Sequence, residues 1–159
     1  MSETVYPDNL KIGLPDPYLI AIGRVCVQWT MLESIVDLCL RKMLSLELFD
    51  PRGTMLTAHM TWPLKMDLLF SLVEGYLEEY PHLEKFHQIG PMLKRAQTGR
   101  NRIVHGVWAY EDGIVRLLRA TSRGRLKTSM DPIDLAEINA ITDDIGSAAA
   151  ALFKMTANK

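Results

Sequence analysis

Seven apolar residues, Ile22, Cys26, Trp29, Leu32, Val36, Leu40 and Met43, recur at three- and four-residue intervals through one unbroken stretch. That spacing puts them on one side of a helix reaching about Leu46, and a helix with one apolar side must bury it against other elements. Asp16-Pro17 opens the stretch: Asp accepts orphan amides and Pro suits the first helical position. The chain must therefore build a core around a long amphipathic helix, and its remaining segments are read as the partners.

Asp50-Pro51-Arg52-Gly53 is a turn, and a short helical turn near Met55–His59 follows. Thr61 and Pro63 open a second helix carrying Leu64, Leu68, Leu69, Leu72, Val73 and Tyr76, which Tyr80-Pro81 ends. A third helix lies between His82 and His105, with Phe86, Ile89, Leu93, Ala96 and Ile103 along its stripe. Gly90-Pro91 kinks or starts it, and Gly106 suits its end. Val107–Tyr110 and Ile114–Ala120 flank Glu111-Asp112-Gly113 as a hairpin, and Leu126–Met130 can add a third strand. Asp131-Pro132 then repeats the Asp-Pro start before a last helix with Ile133, Ile141, Ile145, Ala148 and Leu152. The expected fold is mainly α: a four-helix up-and-down bundle in one domain, with a small β-meander before the last helix.

At 159 residues the chain is long enough for one real core. Arg24, Glu33, Asp37 and Arg41 interrupt the most hydrophobic helix, so no membrane span is expected. Met1 to Asp8 lacks the basic start and apolar core of a signal peptide. Cys26 and Cys39 sit thirteen apart on one helix and cannot meet, and Cys26 falls on the apolar stripe as a core residue. Free thiols suit a reducing compartment, so a cytoplasmic protein is expected.

The net charge of −1 is unevenly spread. Between Lys85 and Lys127 stand ten Lys and Arg against Glu111 and Asp112, a balance of +8; the rest of the chain carries −9. A basic third on a neutral chain is the footprint expected for a polyanion such as RNA. Lys94, Arg95, Arg116, Arg119, Arg123, Arg125 and Lys127 are the candidate RNA contacts.

Two charges break the apolar patterning. Glu33 sits between Trp29 and Val36, and Arg100 continues the series 89, 93, 96, 100, 103. A lone buried charge is costly, so the two are expected to pair across the first and third helices.

Arg100-Asn101-Arg102-Ile103-Val104-His105-Gly106 resembles the R-x4-6-H signature of the HEPN superfamily, which places a polar residue directly after the Arg. Trp29-Thr30-Met31-Leu32-Glu33 is similar to the W-x-x-L-E start of some bacterial members. The resemblance implies a four-helix fold and metal-independent endoribonuclease activity of toxin or phage-defence type. It makes Arg100, Asn101 and His105 catalytic, with Glu33 and Arg102 in support. It implies a homodimer that joins two motifs near Asn101 and His105, since one histidine cannot be base and acid at once. An antitoxin protein is a further implied partner, although Val107 stands where toxins paired with a nucleotidyltransferase antitoxin commonly carry Tyr.

The residue types suit that chemistry on physical grounds. Histidine titrates near neutrality, and Arg stays cationic and offers a planar fork to phosphate oxygens. Asn101, one turn before His105, can orient the ring or a phosphate oxygen. Arg100 and His105, five apart, lie on different sides of an ideal helix, so the Arg chain must bend or the last turn loosen. His82 and His87 lack a third ligand, so no metal is expected, and there is no P-loop or dinucleotide-type glycine cluster. Two other readings compete: a silent HEPN-like bundle for dimerisation, partner or nucleotide binding, and a helical RNA binder without chemistry.

Overall fold

The computed structural model describes residues 13–47, 49–121 and 127–157. Five α-helices frame it: α1 (Asp16–Met43), α2 (Pro51–Ala58), α3 (Trp62–Tyr76), α4 (Phe86–Val104) and α5 (Leu135–Ala157), with a 3₁₀ turn at Pro81–Lys85. Between α4 and α5 runs an antiparallel sheet of β1 (Val107–Glu111), β2 (Ile114–Thr121) and β3 (Lys127–Pro132), in that order. The chain is mainly helical with a small sheet, as expected.

The bundle differs from the expected four helices. Tyr18 Oη donates to Ile133 O at the start of α1, and Lys42 Nζ to Thr156 O at its end, so α1 and α5 run parallel. In a four-helix up-and-down bundle the first and last helices are antiparallel. The difference is α2: the turn expected near Met55–His59 is an eight-residue helix, capped by Asp50 Oδ1 on the Arg52 amide, and it adds a pass across the bundle.

Helix α4 is antiparallel to α5. Arg95 pairs with Asp144 at 2.9 Å, and Arg102 pairs with Glu137, two rungs spaced seven residues apart on each helix. Between the rungs, a Cβ on Gly99 would stand 2.9 Å from Ile141 Cγ2, so glycine lets the helices close. The core is continuous, built on Leu32, Leu40, Leu69, Phe86, Leu93, Ile103, Leu117, Ile138, Ile145 and Leu152, all fully buried.

Several local readings change. Asp16 lies inside the first turn, behind Pro15, and caps nothing. Asp131-Pro132 belongs to β3, because Ile133 N donates to Val115 O and extends the sheet by a residue. The α5 cap is instead Asp134, whose Oδ1 accepts from Glu137 N at 2.8 Å. Cys26 is exposed rather than core, and both cysteines are free. The hairpin forms where expected but with a tighter turn: Glu111 belongs to β1 and pairs with Ile114 across Asp112 (φ 52°) and Gly113 (φ 77°), the two positive angles that a two-residue turn requires.

Lys65 is buried in α3 and paired with half-buried Asp37 of α1 at 2.7 Å. Asp37→Ala leaves that ammonium alone and is expected to cost about 3–5 kcal/mol, whereas Lys65→Met is expected to be close to neutral. Urea midpoints for the two variants check this; equal losses would mean that the pair itself carries the stability.

Candidate functional site

The R-x4-H motif occupies the last turn of α4. Arg100 is half-buried, and Asn101 and His105 are exposed. The helix ends at Val104, and His105 is its C-cap, its amide still donating to Asn101 O at 3.1 Å.

The Arg side chain resolves the angular mismatch by bending. Its Nη1 donates to His105 Nε2 at 2.8 Å and to Asn101 Oδ1 at 3.1 Å. A guanidinium has only donors, so Nε2 must present its lone pair and the ring carries its proton on Nδ1. The three motif residues thus form one hydrogen-bonded unit. Asn101 orients the arginine, and the arginine in turn holds the imidazole.

The expected partner of Arg100 is wrong. Among the described residues no ion pair joins Glu33 to Arg100. The guanidinium lies over the ring of Trp29, 5.4 Å from its centroid, and Trp29 leans on Trp62 at 4.4 Å. An indole face stabilises a delocalised cation without desolvating a second charge, so the aromatic pair does what a carboxylate was expected to do. Trp29 and Trp62 were not among the expected site residues. A cation within reach of Trp on a facing helix was the available signal. Glu33, one turn beyond Trp29, is half-buried and contributes no charge partner here.

Arg102, expected to support the motif, points to the other side of α4 and is held by Glu137. Arg95 is likewise held by Asp144. Lys94 is exposed on α4, and Arg116 is half-buried on β2 opposite Ala109 and Pro132. Arg119 and Lys127 take places in the strand register opposite Ser129 and Thr121, and Arg123 and Arg125 lie outside the described residues. The sheet is docked on the motif: Trp108 Nε1 donates to Ile103 O at 3.1 Å, and Leu117 packs under Gly106.

Other titratable groups stand apart. Burial pushes the Cys39 thiol up to about 11, so it is a protonated core group rather than a nucleophile. No group of three or more His, Cys, Asp or Glu among the described residues could hold a metal ion. Comparison with family models, with curated proteins and with solved structures finds no match to this chain.

Proposed function

We propose that the chain is a metal-independent endoribonuclease of HEPN type, acting through Arg100, Asn101 and His105. The observation that carries this reading is the 2.8 Å contact between Arg100 Nη1 and His105 Nε2 at an exposed helix end. It sets a fixed cation against a proton-transferring ring, the combination that cleavage of a phosphodiester needs. As Arg100 turns from His105 Nε2 to the phosphate oxygens, the freed Nε2 lone pair takes the proton from a ribose 2′-hydroxyl while that hydroxyl's oxygen bonds to the adjacent phosphorus. The bond to the 5′-oxygen breaks, and that oxygen takes up a proton. Arg100 stabilises the charge growing on the phosphate oxygens. Base and acid act together, so a second copy across the polar end of α4 supplies the second histidine.

Total RNA incubated with purified protein in EDTA tests this. Fragments ending in 2′,3′-cyclic phosphate are expected, since the attacking oxygen belongs to the RNA. Cleavage only with added divalent metal would reject the reading.

A silent bundle is the second reading. It is favoured by the ion pairs that neutralise Arg95 and Arg102 beside the motif and so narrow the basic surface open to RNA.

A further inference from the structure

The last turns of α1, α3 and α5 meet around a cavity of about 270 Å³, with the 3₁₀ turn at Pro81–Lys85 as its fourth wall. Leu83 and Thr156 on its lining are buried, whereas Lys42, Ser45, Glu79 and Tyr80 are exposed at its rim. It lies at the far end of the bundle from the motif. Glu137, which holds Arg102, and Thr156 are nineteen residues apart on α5, roughly 28 Å.

The polar part of the lining has bonding capacity that the chain leaves unused. Lys42 Nζ donates to Thr156 O, and no carboxylate among the described residues pairs with it. Two of its three donors stay open to a ligand. Ser45 beside it holds φ 56° at the end of α1, where its amide donates to Lys42 O at 3.1 Å and that of Leu46 to Arg41 O at 2.9 Å. Glycine is the usual residue at that place, because a side chain strains a positive φ. Serine accepts the strain and keeps a hydroxyl on the cavity, where no described residue bonds to it.

Three rings make the rest of the lining specific. Tyr76 and Tyr80 stand 6.1 Å apart at 67°, and Tyr80 and His82 6.2 Å apart at 75°. Rings set edge to face leave faces uncovered, and a further ring fits such an array. Glu79, the one acid on the lining, accepts from the Tyr80 hydroxyl, a bond that raises the phenol pKa and leaves the carboxylate further lone pairs.

We propose that this cavity binds a free aromatic α-amino acid. One cation and one carboxylate on the lining match a zwitterion. The ligand carboxylate meets Lys42 and Ser45, its ammonium meets Glu79, and its ring joins Tyr76, Tyr80 and His82. The carbonyl ends of three helices favour the ammonium as well. A phosphate ester is the poorer match, because its double charge would meet a single Lys and face Glu79. The proposal does not rest on the nuclease reading.

Isothermal titration of the full chain with L-phenylalanine, L-tyrosine and L-tryptophan tests this. At least one is expected to bind with Kd below about 1 mM. L-Alanine keeps the zwitterion without a ring, while 3-phenylpropionate and phenethylamine each keep a ring with one charge. All three are expected to bind at least roughly tenfold more weakly, and Glu79→Gln to weaken the amino acid by about as much. Ser45→Gly separates a ligand contact from a structural role: binding falls roughly threefold while Tm rises, since glycine relieves the positive φ. Neither heat nor a rise in Tm from any of the three amino acids at about 10 mM would overturn the proposal. So would equal affinity for 3-phenylpropionate or phenethylamine, or affinity unmoved by both Glu79→Gln and Ser45→Gly.

Discussion

His105→Ala is expected to remove RNA cleavage while leaving helix content and RNA affinity nearly unchanged. The ring acts on a moving proton, whereas affinity rests on surrounding cations, and such groups typically contribute about 10²–10⁴-fold to rate. His105 is exposed at the end of α4, so its removal opens no cavity. Arg100→Ala is expected to abolish cleavage as well, but with a loss of stability, because the guanidinium also covers Trp29. Arg100→Lys keeps the charge and loses the fork that reaches Asn101 and His105 together, so it should fail nearly as completely. Single-turnover rates on a short RNA, beside filter-binding affinities, separate the two effects. Cleavage equal to wild type without His105 would refute the proposed chemistry.

Gly106→Val is expected to be the most damaging single change next to the motif. Even a Cβ there would fall 2.3 Å from Leu117 Cδ1 and 2.9 Å from Arg102 O, and the carbonyl is backbone and cannot swing aside. Overpacking of this kind costs about 3 kcal/mol, which lowers Tm by roughly 6–12 °C in a chain of this size. Relief can come only by lifting β1 off α4, which breaks the Trp108 bond to Ile103 O and moves His105, one residue upstream. A depressed Tm with an altered near-ultraviolet tryptophan signal is the expected result. An unchanged melting curve would mean that the sheet docks elsewhere.

What could be read from the residues divides along physical lines. Local signals held in place: a hairpin turn at Asp112-Gly113, one residue tighter than the Glu111-Asp112-Gly113 connection expected, and the motif at the end of α4. Those features depend on backbone geometry within a few residues. Helix α3 instead stops at Tyr76, four residues before the Tyr80-Pro81 expected to end it. Readings that depended on the width of a buried stripe fared less well. Cys26 lies three residues before Trp29, about 60° round the helix, near enough to the apolar side to pass for core, yet no neighbour covers it. The same ambiguity made Glu33 a partner for Arg100, when Trp29, one turn earlier, held the better position. Asp131-Pro132 matched a helix start but was claimed by the sheet, a long-range pairing that local chemistry does not reveal. The extra pass of α2 escaped for a related reason, since eight residues with only Gly53 and Thr57 buried leave almost no periodic signal.

The two rungs between α4 and α5 alter the account of the basic third of the chain. Arg95 and Arg102 sit against carboxylates from a segment more than thirty residues further on, so a sum along the sequence counts them as free when the folded surface does not. A cation already neutralised by a protein carboxylate has no condensed ion to displace from a nucleic acid. The slope of log affinity against log salt, about 0.9 per phosphate neutralised on a duplex and 0.7 on a single strand, should therefore fall short of what ten cations would give by at least these two. Replacing Glu137 and Asp144 by Gln and Asn would return both charges to the surface and steepen that slope, tightening the grip on RNA at low salt by loosening the grip of α4 on α5.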